Sequence, residues 1–300
     1  MQDYISSHIN DLITLYDLAQ ACGFSPWHSS RIFKELMGKT PFEYIRAYRI
    51  SLAALKLRDE NVKIIDVAFD FVFDTHEGFT RAFSREFGIN PLEYKMQTPP
   101  VKLFIPYHIR STYRYILSKE RNMNNNSREQ TNQHPAPAVF VQVIERPARK
   151  LILKRGIKAA DYFEYCDEVG CDIWGILVSI KEALYEPVGL WLPQTMVKEG
   201  TSTYAQGVEV PADYCGQIPE GFDCIDLKPC KMMIFQGPPF KDEDFEEAIT
   251  GLWEVIKLYN PEIYGFAWAV NDAPRFQMEP QGYRGYIEGR PVIEIRKIKQ

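Results

Sequence analysis

The 300-residue sequence predicts two unlike halves: an all-α N-terminal domain with two helix-turn-helix units, and an α+β C-terminal domain of two pseudo-symmetric strand-helix-strand-strand repeats. Three observations lead there. A helical segment over 30–44 recurs over 80–94. The polar, asparagine-rich stretch "SKERNMNNNSREQTNQHPAPA" (118–138) cannot bury enough apolar surface to fold by itself. Beyond it, strand-like and helix-like runs alternate in an order that is used twice. The expected boundaries are therefore 1–110 for the first domain, 111–137 for a linker and 138–300 for the second domain.

Each N-terminal copy opens with an apolar helix, "LYDLAQA" or "IIDVAFD", and passes through a short turn to a second helix. Short side-chain oxygens satisfy the free N–H groups at a helix start, so Ser25 is the expected cap in the first copy and Asp74 or Thr75 in the second. "SRIFKELMGKTPFEY" and "TRAFSREFGINPLEY" superpose at an offset of 50, with Arg31 on Arg81, Phe33 on Phe83, Gly38 on Gly88, Pro41 on Pro91 and Glu43-Tyr44 on Glu93-Tyr94. Upstream, "LAQACGFS" matches "VAFDFVFD" at an offset of 49. Agreement at so many special positions marks a duplicated unit.

The C-terminal elements follow in order. "VFVQVIE" and "KLILKRG" read as strands, "DIWGILVSIKEAL" (172–184) as a helix, then "VGLWLP" and "STYAQGVEV" as strands. The order recurs as "FDCIDL" and "KMMIFQG", the helix "DEDFEEAITGLWEVIKLY", and the strands "IYGFAWAV" (263–270) and "PVIEIRKIK" (291–299). A cleft is expected between the two halves.

Charge separates the halves. Residues 1–110 carry 13 basic and 13 acidic groups, 111–137 carry 4 and 2, and 138–300 carry 18 and 25, which gives the overall −5. Within the first part, residues 25–58 hold seven basic groups (Arg31, Lys34, Lys39, Arg46, Arg49, Lys56, Arg58) against Glu35 and Glu43. A basic patch inside an acidic chain fits one region that meets phosphates and another that does not. No apolar run approaches the ~20 residues of a membrane span. The six scattered cysteines include no CxxC pair, and the start has no basic-then-apolar leader, so reduced thiols and a cytoplasmic location are expected. Cys166 and Cys171 lack two further ligands, so they are assigned to packing, and no metal or cofactor is expected.

On the second helix of the first copy, Ile32, Phe33, Leu36 and Met37 form an apolar stripe, and Trp27, Ser30, Arg31 and Lys34 the opposite face. A tryptophan on the polar face is poorly placed for a core. It is well placed against thymine methyls or sugars, beside an arginine able to pair with guanine. In the second copy Phe79, Ala82, Phe83 and Phe87 make the buried stripe and His76, Glu77, Thr80, Arg81 and Ser84 face outward.

Residues 8–97 resemble the DNA-binding domain of AraC/XylS-type transcription regulators, through "LAQACGFSPWHSSRIFKELMGKTPFEYIRAYRI" and "DVAFDFVFDTHEGFTRAFSREFGINPLEYK". The resemblance implies two reading helices in successive major grooves of double-stranded DNA, about 34 Å apart. It assigns base or sugar contacts to Trp27, Ser30 and Arg31 in the first unit and to His76, Glu77, Thr80 and Arg81 in the second, with Lys34 on the same face. Two departures weaken the second unit. Val72 stands where the turn usually has a glycine, and Gly78 lies inside the second reading helix, where it costs about 1 kcal/mol against alanine.

Aromatics are spread over both C-terminal repeats: Trp174, Trp191, Tyr204, Phe235, Trp253, Trp268, Tyr283 and Tyr286. Glu209, Glu279, Glu288 and Glu294 lie on or beside the expected strands. A carboxylate among aromatic rings favours a lipophilic cation. Residues 138–298 resemble the GyrI-like, or AraC-effector-binding, domain through "VQVIERPARKLILKRG", "GVEVP", "FQG" and the closing "IEIRKI". The resemblance implies a glutamate of the second repeat projecting into a central cleft, matched here by Glu279, or by Gln277 if the register shifts by two. The expected ligand set is Glu279 with Trp174, Tyr204, Phe235, Trp268 and Tyr283.

These observations point to a sequence-specific transcription regulator that senses a small organic, cationic effector, with DNA, that effector and RNA polymerase as partners. No nucleophile–base pair is legible, so an enzyme is not the expectation. The alternatives are a GyrI-like hydrolase using Glu279 with Tyr204 or Tyr283, and an acidic domain that docks a partner protein.

Overall fold

The computed structural model describes residues 1–106 and 138–295, and the expected linker over 111–137 lies outside them. The chain forms two compact units. The N-terminal one is helical: α1 (Gln2–Ser7), α2 (Leu15–Cys22), α3 (Pro26–Met37), α4 (Pro41–Asp59), α5 (Ile64–Asp70), α6 (His76–Phe87) and α7 (Pro91–Gln97).

Local chemistry explains the boundaries. Thr14 and Asp17 cap α2 reciprocally, as Thr40 and Glu43 cap α4, each pair satisfying two free N–H groups. Ser25 accepts from the His28 N–H at the start of α3, and Thr75, of the two expected candidates, accepts from Gly78 at the start of α6. Helix α4 joins the two copies. Its Tyr44 and Ile45 complete one core with Ile5, Ile13, Leu18, Phe33 and Met37. Further along, Ile50, Ala53, Ala54 and Leu57 enter a second core with Val67, Phe79, Phe83 and Tyr94. Burying each large apolar side chain contributes about 1.5–3 kcal/mol. One stripe residue departs from expectation: Leu36 is 58% exposed, because Phe33 and Met37 alone turn toward the first core.

The turns of the two copies share a path despite different residues. At the end of α2, Gly23 has φ +72° and Phe24 N–H donates to the Ala19 carbonyl. At the end of α5, Val72 takes φ +61° and Phe73 N–H donates to the Ala68 carbonyl. The β-branched residue is held in the left-handed region rather than the turn being rebuilt.

The C-terminal unit has strands β1 (Phe140–Arg146) and β2 (Arg149–Arg155), helices α8 (Tyr162–Val169) and α9 (Ile173–Ser179), then β3 (Val188–Trp191), β4 (Tyr204–Pro211), β5 (Asp223–Leu227) and β6 (Cys230–Gln236). Helix α10 (Phe245–Leu258) and strands β7 (Phe266–Trp268), β8 (Arg275–Met278) and β9 (Ile287–Glu294) complete it. The nine strands among the described residues lie in one sheet, in the order β1-β6-β9-β8-β3-β4-β2-β5, with β7 paired to β9 off this path. The pairs are antiparallel.

Three expectations need correction. The helix expected over 172–184 ends at Ser179, and by Leu184 the backbone N–H is bonded to the Glu209 carbonyl instead. Asp161 caps a further helix, α8, accepting from Phe163 and Glu164. The strand expected over 263–270 shrinks to three residues, because a 3-10 turn over Pro261–Tyr264 and the left-handed Gly265 occupy its start. The strand that pairs with β3 is β8, in "RFQM", and β9 begins at Ile287 rather than at 291.

Candidate functional site

Helix α3 presents what the sequence predicts. Trp27 is 71% exposed and Arg31 and Lys34 are exposed, while Ser30 is half-buried. The Arg31 guanidinium carbon lies 5.1 Å from the Trp27 ring centroid, and its Nε is 3.8 Å from Glu35 Oε1. These contacts, one turn apart, hold the two candidate readers together on one face. On α6, Glu77 and Arg81 are exposed and His76 half-buried. Thr80 differs from the expected outward reader: its hydroxyl is buried without a hydrogen-bond partner, because the residue sits between the fully buried Phe79 and Phe83 stripe and the open face.

The basic excess over 25–58 is only in part free for phosphates. Arg49 donates to the carbonyls of Ile9 and Asp11, Lys56 pairs with Asp70 at 2.8 Å, and Arg58 pairs with Asp59 at 2.7 Å. Arg31, Lys34, Lys39 and Arg46 remain exposed.

In the C-terminal unit the register of four central strands builds a polar floor. Gln206 on β4 faces Gly189 on β3, Gly189 faces Gln277 on β8, and Gln277 faces Glu288 on β9. Two residues along, on the same face because side chains alternate, Tyr204 faces Trp191 and Trp191 faces Arg275. Extending the β8–β9 register sets Arg275 opposite Arg290. A Cβ at position 189 would fall on the Tyr204 hydroxyl and within 3.0 Å of Gln277 Cγ, so only glycine lets those two side chains meet over the middle of the floor.

Hydrogen bonds tie the floor together. Gln277 Nε2 donates to the Tyr204 hydroxyl at 3.2 Å, and the Tyr286 hydroxyl donates to Gln277 Oε1 at 2.9 Å. Glu288 is fully buried, yet it accepts from Arg275 Nη2 at 2.8 Å, Arg290 Nε at 2.7 Å and Trp253 Nε1 at 2.9 Å. Arg275 also stacks 4.1 Å from the Trp191 centroid. Burial pushes the phenols of Tyr204 and Tyr286 well above their usual range, so both hydroxyls remain protonated. Gln206 is fully buried and neither atom of its amide has a partner, an arrangement that costs about 1–3 kcal/mol.

The expected ligand residues are distributed unevenly over this arrangement. Tyr204 lies in the floor, and Trp268 sits beside it with its centroid 5.8 Å from the Arg290 guanidinium. Phe235 packs in the core against Tyr259 and Trp268, and Trp174 is half-buried on α9. Glu279 is exposed past the end of β8, accepting from Gln281, and Tyr283 is 78% exposed. The position facing Tyr204 and Tyr286 is Gln277, because β8 ends at Met278. Arg275, Arg290 and Gln206 are not singled out by the composition, although one signal reaches them: "YAQG" (204–207) recurs as "YIEG" (286–289). Among the described residues, no group of His, Cys, Asp or Glu is arranged to hold a metal ion, and no helix is long and apolar enough to cross a membrane.

Residues 18–97 match the family described as Helix-turn-helix domain. Over 93 residues the chain is 34% identical to the HTH-type transcriptional activator AarP of Providencia stuartii, covering 31% of this chain and 69% of that protein. The Regulatory protein SoxS of Salmonella typhimurium is also 34% identical over 93 residues, 31% of this chain and 87% of its own. In longer curated relatives the match spans only 32% to 37% of their length. The structure of SAV2435 bound to tetraphenylphosphonium aligns with 51% of this chain and 94% of its own, at TM-score 0.33 and 16% identity. At that score the likeness decides nothing about ligand chemistry. The segment that folds into two helix-turn-helix units spans most of AarP and of SoxS, and with them this chain belongs to the AraC/XylS-type family of DNA-binding transcription regulators.

Proposed function

We propose that this regulator reads a specific operator through α3 and α6 and that its C-terminal unit senses a small aromatic effector, with domains over 1–110 and 138–300 and a linker over 111–137. The observation that carries the DNA half is the exposed Trp27–Arg31 pair on a helix whose other face is locked into a core. Trp27, Ser30, Arg31 and Lys34 are the readers of the first unit, and His76, Glu77 and Arg81 those of the second. Thr80, expected among them, has its hydroxyl buried and is left out of the set.

Effector sensing is supported by the floor: neutral tyrosines, a glycine over which Tyr204 and Gln277 meet, and an unpartnered glutamine, gathered on four adjacent strands. Two pseudo-symmetric repeats are supported by the sheet order, which reads the same from either end when the halves are exchanged, and by the match of "YAQG" with "YIEG". An effector changes output only if it binds one domain arrangement, or one polymerase-contacting state, better than another. The hydrolase alternative in its Tyr204 form is disfavoured, since Tyr204 bonds Gln277 while Glu279 is exposed.

The test is selection of operators from a randomised DNA pool by the full chain, followed by affinity measurements with Arg31→Ala. A reader of guanine loses about 1–3 kcal/mol and its preference at one base pair. Uniform weakening on all sequences, with a salt slope lowered by about one, would make Arg31 a phosphate contact and end the base-reading claim.

A further inference from the structure

The sequence led to a cationic effector because Glu279 was expected in the cleft. The floor has a different charge. Gln277, which takes the central position, is neutral, and the one buried carboxylate, Glu288, is held by two guanidiniums. Arg275 and Arg290 also occupy directly opposed strand positions, where like charges repel unless something negative lies between them. Glu288 cancels one of the two. The other floor groups are uncharged, and the carboxylate of Asp161 near Tyr204 is engaged in capping α8. The arginine end of the floor therefore carries a net charge of +1, while Asp161 keeps its negative charge at the other end, near Tyr204.

The spare positive charge faces outward. Glu288 has no exposed surface, whereas the side chains of Arg275 and Arg290 are 29% and 27% exposed. Arg290 spends only its Nε on Glu288. Among the described residues, neither of its terminal nitrogens has a hydrogen-bond partner, nor has Nη1 of Arg275. The other end of the same row is aromatic, with Trp191 and Tyr204 5.2 Å apart and edge to face. The unpartnered Gln206 amide lies one row behind them.

We propose that this floor binds an aromatic carboxylate, its ring against Trp191, which the buried Tyr204 backs edge to face, and its acid group received by Arg275 and Arg290. The proposal rests on the effector-sensing reading and adds the ligand's charge. Planar guanidiniums suit a carboxylate better than an ammonium would, since they offer paired N–H donors. A cation placed there would meet the same two arginines as repulsion.

The test uses the full chain and three probes of one shape: 2-naphthoate, 2-naphthalenemethanol and 2-naphthylmethylammonium, each titrated by calorimetry at two salt concentrations. Naphthoate is expected to bind about tenfold or more tightly than the alcohol, and the cation no better than the alcohol. Arg290→Gln should remove the preference for the anion while leaving the affinity for the alcohol, and Arg290→Lys should restore part of it. Tighter binding of the cation than of naphthoate, or an anion preference untouched in both Arg290→Gln and Arg275→Gln, overturns the charge assignment and leaves effector sensing standing. Failure of all three probes to bind overturns both. The comparison among probes on the unaltered chain does not depend on any variant folding.

Discussion

Val72 carries the clearest cost in the N-terminal unit. A left-handed backbone costs a non-glycine residue about 1–2 kcal/mol, through contact of Cβ with the following carbonyl oxygen, and Val72 pays it at φ +61°. Val72→Gly is therefore expected to raise stability by about 1 kcal/mol, once glycine's greater freedom in the unfolded chain is offset. Urea unfolding of the full chain would show the later midpoint; an earlier one would mean that the half-buried valine side chain contributes more than the strain removes. Tyr94 gives a second outcome. It is fully buried, its hydroxyl has no partner, and burial pushes its pKa up to about 12. A phenol ordinarily near 10 ionises first in the unfolded chain, so this contribution is intact below pH 10 and is lost as pH rises toward 12. The urea midpoint should drop between pH 9 and pH 11, and Tyr94→Phe should flatten that drop. The valine was legible as a departure from the turn's usual glycine. That it would adopt the glycine's conformation was not, since sequence alone leaves open whether the turn or the residue yields.

The helices compare as pairs, and the first helix of the second copy is the one less well capped. Thr14 and Asp17 cap α2 reciprocally, while the matching helix α5 starts at Lys63, which makes no side-chain cap. Thr14→Ala, which removes the box at the start of α2, should cost about 1 kcal/mol, and Lys63→Ser at the matching start of α5 should gain about 0.5–1 kcal/mol. Both are read from thermal unfolding, and equal effects of opposite sign at the two sites would confirm that caps, rather than packing, distinguish the copies. Glu43 and Asp17 are both held below the usual carboxylate range, chiefly by the Thr40 backbone N–H for Glu43 and the Thr14 hydroxyl for Asp17. Their caps are thus present above the ordinary carboxylate pKa and are lost as pH falls through the lowered values. These helices were legible because capping residues, prolines and glycines sit at fixed offsets. The C-terminal strands were less so. β8 has only four residues, and its flanking prolines resemble a turn more than a central strand.

At the scale of the molecule, the DNA-reading half could be inferred from sequence because its site lies on contiguous helix faces. The C-terminal floor could not, because register brings together residues 189, 206, 277 and 288 from four strands. Periodicity specifies which face a residue takes but not which partner lies beside it. The duplicated "YAQG" and "YIEG" were the available clue. Helix α4 has a different kind of consequence. It is one unbroken 19-residue rod, whose first half belongs to one core and whose second half belongs to the other. Adding one residue after Arg49 would turn everything beyond it by about 100° and advance it by about 1.5 Å. Affinity for the selected operator should then fall about a hundredfold or more, since simultaneous engagement is lost; a smaller fall, with both cores still folded, would show that the units bind independently. Evolution of this regulator toward operators of another spacing is thus barred from small insertions in the rod. New targets must be reached by exchanging the letters on α3 and α6, with the ruler between them left at its present length.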